Sequence, residues 1–174
     1  MTEKILTSDQ GVTLLGGGPA TPRMISDAVV LAPNLVAADG GANHLVGGEL
    51  VPSAIIGDLD SLKDRDQWRA QLGDNLVHVA EQESTDFEKC LARIDAPFFV
   101  CVGFLGGRQD HGLAALHTLI NDPRPIVLIG DSDVAFAAHC GVSLALEVGE
   151  RISIFPMRTV RAIGGAGLST RLMV

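Results

Sequence analysis

The chain is poor in positive charge. Its 174 residues carry 13 Lys and Arg against 21 Asp and Glu, a formal net charge of −8. No segment gathers the basic residues into a patch. Nucleic-acid backbones and anionic membranes are therefore not expected as partners. A nucleotide carried with a metal ion remains compatible, because a metal and a few placed cations reverse the local field. Cysteine is scarce as well. Cys90, Cys101 and Cys140 are scattered, odd in number and never in a C-x-x-C pair, which argues against a disulfide framework or a zinc site. Each is expected to pack as a small apolar residue, in keeping with a reducing cytoplasm. No apolar run approaches the roughly 20 residues of a membrane span. Met1 to Gln10 lacks the apolar core of a signal peptide. Repeats and low-complexity tracts are missing, and so is the Walker A pattern G-x-x-x-x-G-K-[ST], which excludes a P-loop enzyme.

What is present is a globular composition. Hydrophobic residues make up 47% and charged residues 20%, enough to bury the core of one domain, or of one domain and part of another. Short apolar runs recur and end in glycine or acid. Val12-Thr13-Leu14-Leu15 reads as a buried strand entering Gly16-Gly17-Gly18-Pro19, where a phosphate could approach the backbone. Thr21-Pro22 reads as a helix start. Leu35 to Ala38 is a second strand, ending in Asp39-Gly40-Gly41-Ala42-Asn43, either a tight turn or a grip on a ribose or a metal-bound water. Ile55-Ile56 ends a third strand at Gly57-Asp58-Leu59-Asp60-Ser61. Leu62 to Leu72 is expected to be a surface helix with Trp68 packed inward. Leu76 to Val79 is a fourth strand, with His78 expected in the core. Thr85 and Glu88 have capping-box spacing. Phe87, Cys90, Leu91 and Ile94 follow at helical spacing, so a helix starts at Thr85 with Asp86 in its first turn. Phe98 to Val102 is a fifth strand, opening into Gly103-Phe104-Leu105-Gly106-Gly107-Arg108-Gln109-Asp110-His111. A helix with Leu113, Leu116 and Ile120 on one stripe follows, then a sixth strand from Ile126.

This alternation predicts an α/β fold: a parallel, doubly wound, Rossmann-like sheet flanked by helices. Asp39, Asp58, Asp60, Asp86 and Asp110 all stand where a strand gives way to a loop or helix. In a parallel sheet those ends share one edge, where open α/β sheets bind ligands. In extended backbone Asp58 and Asp60 would point the same way. Carboxylates held close repel unless a cation lies between them or one is protonated. Mg2+ with ATP meets that need, and Arg108 offers a planar fork for phosphate oxygens. The expectation is a Mg-nucleotide site performing phosphoryl-type transfer. After Asp131 the pattern changes. Val134 to Ala138, Val142 to Val148 and Ile152 to Phe155 are β-like runs with short turns. Residues 1–131 are thus expected to form the α/β domain, and 132–174 the start of an all-β, sandwich-type domain that stops short of closure.

The motifs Gly16-Gly17-Gly18-Pro19, Asp39-Gly40-Gly41-Ala42-Asn43, Ile56-Gly57-Asp58-Leu59-Asp60-Ser61, Gln82 with Thr85-Asp86, and Gly106-Gly107-Arg108-Gln109-Asp110-His111 come in the order and spacing of one family. On them, the chain resembles thiamine pyrophosphokinase from residue 12 to about residue 160. The resemblance implies transfer of a pyrophosphoryl group from ATP to the hydroxyethyl oxygen of thiamine, giving thiamine diphosphate and AMP. It implies Mg2+ on Asp58, Asp60 and Asp86, with Arg108 and Asp110 positioning phosphates and metal as part of the catalytic set. It places Gly17, Gly18, Asp39, Gly40, Asn43, Gln82, Thr85, Lys89, Gly107 and His111 around ATP or substrate. It also implies a homodimer with thiamine bound between subunits by a β-rich second domain, including a serine-and-proline strand at Ser153 and Pro156.

Two departures stand out. The family usually carries Asp where Glu81 and Glu83 occur here. Where a later Ser-Asn pair helps to seat thiamine, Ser169-Thr170-Arg171 follows Gly167-Leu168, so the thiamine half-site is expected to be incomplete. A nucleotide- or metal-binding remnant without turnover is the first alternative. A sugar-nucleotide transferase using Asp58 and Asp60 as its D-x-D is the second.

Overall fold

The computed structural model describes residues 2–139, 142–159 and 166–167. It divides into two compact units, Met1–His139 and Cys140–Val174. Among its described residues the first contains nine strands: β1 (Leu6–Thr7), β2 (Val12–Leu15), β3 (Asn34–Ala38), β4 (Ala54–Gly57), β5 (Leu76–His78), β6 (Ile94–Asp95), β7 (Phe99–Val102), β8 (Ile126–Ile129) and β9 (Val134–Phe136). Its four α-helices are α1 (Pro22–Leu31), α2 (Arg65–Leu72), α3 (Asp86–Arg93) and α4 (Gln109–Asn121).

The strands are short apolar runs, and β2, β4 and β7 are buried at every residue. Such runs belong in a sheet covered on both faces. β3, β4 and β5 pair in parallel, as do β2, β7 and β8, and β3 lies beside β2. The period of two sorts the side chains. Val12, Leu14, Val36, Ile56, Phe99 and Cys101 point to one core, under Phe87 and Leu91 of α3 and Ala115 and Leu119 of α4. Leu15, Leu35, Ala37, Ile55, Val100 and Val102 point to the other, under Ile25 and Ala28 of α1 and Trp68 of α2. This is the doubly wound α/β architecture expected. Cys90 and Cys101 are buried free thiols, as expected. Cys140 lies outside the described residues.

From β2 the chain steps outward through β3, β4 and β5, then returns to β7 on the other side of β2. The direction of winding therefore reverses between β2 and β7, the kind of place where open α/β sheets bind ligands. Caps fix the helices that leave this edge. Thr21 Oγ1 accepts the Met24 N–H at 3.2 Å, with Pro22 in the first turn. Thr85 and Glu88 form the reciprocal capping box of α3. At the end of α3, the Arg124 guanidinium donates to Leu91 O and Ile94 O, pairs with Asp122 and sits 4.8 Å from the centre of the Phe99 ring. That cation serves packing.

Several expectations need correction. Val134–Phe136, expected to open the second module at residue 132, pairs antiparallel with β8 and forms the sheet's edge. The first unit therefore runs on to His139. In the second unit the described residues of 142–159 contain no strand, so the runs Val142–Val148 and Ile152–Phe155 form no ladder there, nor does Ser153–Pro156. Ser169-Thr170-Arg171 lies outside the described residues. On α4 the buried face is Ala115, Thr118 and Leu119, while Leu113 is 63% exposed. Of the expected stripe, Leu116 does pack against the core, beside Ala115 and Leu119, and Leu113 does not. His78, expected in the core, is exposed at the end of β5. Among the described residues no helix is long and apolar enough to cross a membrane.

One close approach holds the binding edge together. A Cβ on Gly41 would lie 2.0 Å from the Leu15 carbonyl oxygen, and backbone cannot yield as a side-chain tip can. Gly41→Ala is expected to destabilise the first unit by about 1–3 kcal/mol or more, read as a lower urea midpoint at unchanged slope. An unaltered midpoint would mean that the Asp39 loop does not rest on β2.

Candidate active site

The loops following β2, β3 and β4 meet at the sheet's carboxyl edge, and Gly57 is where they close. A Cβ there would sit 2.6 Å from Asp39 Cβ and 3.2 Å from Asp86 Oδ1. Asp39, Asp58 and Asp60 each bring one carboxylate oxygen to within 4.8 Å of the others. The convergence expected of Asp58 and Asp60 is present, but extended backbone is not its cause. β4 stops at Gly57, and Leu59 adopts φ +62°, a conformation that a bulky residue rarely takes. Leu59 is buried in the α1/α2 core. That anchor turns the chain so that Asp58 Oδ1 accepts the Asp60 N–H at 3.3 Å. Ser61 completes the loop: its N–H donates to Asp39 Oδ2 at 3.2 Å and its hydroxyl to Asp60 Oδ1 at 2.9 Å.

Asp39 is the unusual member. It is 3% exposed, adopts φ +42°, and its Oδ1 is buried without a hydrogen-bond partner. Burial pushes its carboxyl above the ordinary aspartate range. The charges of Asp86 and Asp58 add to that push, and the Gly40 and Ser61 N–H groups oppose it. A left-handed φ and an orphaned buried oxygen in one residue are both uncommon in a folded protein. Hard carboxylate oxygens, one of them unsatisfied and buried, suit a hard divalent cation.

Asp58 is held differently. The Gln82 amide donates to its Oδ2 at 2.8 Å. That bond lowers its carboxyl below the usual range against partial burial, with help from the Asp60 N–H and from Lys89. Lys89, expected near phosphate, is only 2% exposed and lies 3.2 Å from Asp86 Oδ1 and 3.9 Å from Asp58 Oδ2. Asp86, expected in the metal set with Asp58 and Asp60, reaches the same spot but has one oxygen committed to Lys89. The tight trio is completed by Asp39 instead.

Some expected binding residues act on the loops. Asn43 donates to Ser61 O and accepts from Lys63 N–H, both at 2.9 Å, pinning the 58–63 loop. Thr85 caps α3. Glu81 accepts the Glu83 and Ser84 N–H groups and the Ser84 hydroxyl, closing the turn before α3. A Cβ on Gly40 would meet Ser61 Cβ at 3.0 Å, and Gly17 faces the Gly40 backbone. Gly18 N–H donates to Gly103 O at 2.8 Å, and Gly107 faces Pro19. The glycine loops after β2 and β7 are thereby drawn together across the switch point. Pro19, Ala20, Thr21 and Met24 there line a cavity of about 180 Å³ with Leu105, Gly106 and Asp131. Arg108 and Asp110 pair with each other in solvent, 72% and 63% exposed. The hydrogen bonds from Arg108 hold the Asp110 carboxyl down at about 2. His111 is exposed beside them.

Three contributors escaped the sequence reading. His44 Nε2 lies 2.9 Å from Gly18 O; a carbonyl only accepts, so that nitrogen carries the proton. The Ser61 hydroxyl and Asp131 are the others. His44 sits five residues past Asp39 in a 3-10 segment (Asp39–Leu45), and its tie to the first glycine loop has no short-range signature.

Comparison with known proteins shows the chain's family and fold. A family model described as "Thiamin pyrophosphokinase, catalytic domain" matches residues 27–129. A curated relative, Thiamine pyrophosphokinase 2 of Oryza sativa subsp. japonica, is 30% identical over 138 residues, which is 63% of this chain and 51% of the relative. The thiamin pyrophosphokinase structure from Geobacillus thermodenitrificans superposes with a TM-score of 0.57 at 27% identity, covering 69% of this chain and 59% of that one. That from Candida albicans superposes with a TM-score of 0.60 at 19% identity, covering 71% and 59%. The chain thus spans about half the length of the curated relative it matches. Because the matched segment covers more than half of the chain, from within α1 to the end of β8, with every aspartate of the cluster inside it, the chain belongs to the thiamin pyrophosphokinase catalytic-domain family.

Proposed function

We propose that the protein is a thiamine pyrophosphokinase, transferring pyrophosphate from ATP to the thiamine hydroxyl and releasing AMP. The observation that carries this reading is the orphaned Oδ1 of Asp39 beside Asp58 and Asp60 at the carboxyl edge of the sheet. Asp39, Asp58 and Asp60 would hold Mg2+, with Asp86 next to them. Mg2+ supplies charge neutralisation on the phosphate oxygens. The chain's own residues do the positioning. Gly106, with open space where a Cβ would stand, leaves room for phosphates, and the neighbouring cavity is open to the rest of the nucleotide. Arg108, exposed and tied only to Asp110, can exchange that carboxylate for a phosphate, since a guanidinium fork suits both. The thiamine oxygen attacks the β-phosphorus as its bond to the α,β-bridging oxygen breaks, and AMP leaves with that oxygen. Gln82 and Lys89 keep Asp58 in place throughout. Residues 140–174 belong to the thiamine-binding part, which works in a homodimer in the cytoplasm. No nucleic acid or membrane takes part.

The test is direct. The protein is incubated with Mg-ATP and thiamine, and products are separated by chromatography. Thiamine diphosphate and AMP are expected in equal amounts. ADP in place of AMP, or nucleotide binding without product, would refute the reading, as would preferential binding of a UDP-sugar.

A further inference from the structure

Lys89 is a buried cation in the middle of an acidic cluster. A lysine is almost never fully buried unless it is paired, and this one is paired twice, with Asp86 at 3.2 Å and Asp58 at 3.9 Å. The Gln82 amide donates to the same Asp58 oxygen that faces Lys89. Four carboxylates, Asp39, Asp58, Asp60 and Asp86, therefore share one internal ammonium. Lys89 stands against Asp86 and Asp58, and on the other side of the cluster Asp39 Oδ1 is bare. The capping box at Thr85 and Glu88 fixes the first turn of α3 and so fixes where Lys89 stands.

We infer that Lys89 is a positioning residue that acts as a built-in counter-cation: it occupies the Asp58–Asp86 side of the cluster and limits the cluster's hold on a free divalent ion. The inference rests on the proposed metal site at Asp39, Asp58 and Asp60. Its physical content is simple. A fixed positive charge against a liganding carboxylate lowers that carboxylate's attraction for a second cation. A cluster weakened in this way takes its divalent ion best when the ion arrives already neutralised by a polyphosphate. Lys89 thus biases the site toward a metal–nucleotide complex over the bare ion. It also keeps the empty cluster from carrying four uncompensated charges.

The experiment is a Mn2+ titration of the full chain without nucleotide, followed by electron paramagnetic resonance or calorimetry. Lys89→Met is expected to bind Mn2+ roughly tenfold more tightly than wild type, the order expected from removing a unit charge beside a ligand. Lys89→Arg, which keeps the charge, is expected to stay close to wild type. Thermal unfolding gives a second readout. Lys89→Met should be less stable than wild type without metal and should gain more from saturating Mn2+. A lysine that merely fills space would lower stability equally with and without metal and leave affinity unchanged. If Lys89→Met is unfolded without metal, Mn2+ is expected to restore its fold, and failure to do so counts against the inference. Equal or weaker Mn2+ binding by Lys89→Met overturns it while leaving the metal site standing. If neither protein binds Mn2+, or if Asp60→Asn leaves Mn2+ affinity untouched, the metal site falls and the inference with it.

Discussion

Asp58→Asn is expected to lower the rate of thiamine diphosphate formation by about 10²–10³-fold, the range seen when one preorganised electrostatic contact to a reacting centre is removed. The substitution is nearly isosteric. An asparagine oxygen can replace Oδ1 and still accept the Asp60 N–H, while the new NH2 at the Oδ2 position is met by turning the Gln82 amide so that its carbonyl accepts, so the loop between Gly57 and Ser61 should keep its shape. Lys89 keeps its closer partner, Asp86, so the buried ammonium is not orphaned and stability should change little. What disappears is one negative charge in the trio that would hold the metal. The loss should appear in kcat/KM for Mg-ATP and in the Mg2+ concentration needed for half-maximal rate, with the unfolding midpoint nearly unchanged. Activity within threefold of wild type would remove Asp58 from the site. A collapse in stability would show instead that Asp58 serves the fold.

Much of this architecture could be read from local pattern, because local pattern is what makes it. Thr21-Pro22 and Thr85 with Glu88 announce the starts of α1 and α3, since capping is a contact over three residues. Four-residue apolar runs give the buried strands, and glycine with acid at their ends locates the binding edge. What stayed hidden depends on partners distant in sequence. Leu59 takes a strained φ because its side chain is drawn into a core formed with Ile25, Leu45 and Trp68, and nothing in Asp-Leu-Asp declares that. Alternation in an extended strand predicted the right convergence by the wrong route. Lys89 looks like any surface lysine in the sequence, yet the helix face that carries Cys90 inward leaves it buried against Asp58, from another strand's end. Val134–Phe136 reads as the opening of a new module because β propensity does not specify a partner, and the partner is β8. Asn43 sits in a motif that suggests ligand contact, but both ends of its amide are taken by the neighbouring loop. Residues that touch a ligand and residues that brace those residues share one composition. Only geometry separates them.

Asp39→Asn is expected to make the metal-free protein more stable while reducing transfer by about 10²-fold or more. Both effects follow from one buried carboxylate. Its Oδ1 has no hydrogen-bond partner, and its Oδ2 accepts the Ser61 N–H. Burial raises its pKa, and the Asp86 and Asp58 charges raise it further. A raised folded-state value means that the native protein prefers Asp39 protonated more than the unfolded chain does. Native stability is then highest below the unfolded chain's aspartate pKa and declines as pH climbs through the raised folded value. At neutral pH the ionised group is a net cost. Asparagine keeps an oxygen for Ser61 and removes the charge. The gain comes from losing a charge that burial disfavours and that Asp86 and Asp58 repel, not from satisfying a buried atom, because the new NH2 stands where Oδ1 had no partner. It should be largest at neutral pH and shrink toward acid, where the wild-type side chain is itself protonated. A divalent ion should reverse the order of stability: wild type should gain from Mg2+ or Mn2+, and Asp39→Asn should gain little. Unfolding curves of both proteins at neutral and acid pH, with and without metal, give four comparisons. If Asp39→Asn were less stable than wild type in all of them, Asp39 would be a structural carboxylate, and the strained backbone beneath it would need another explanation.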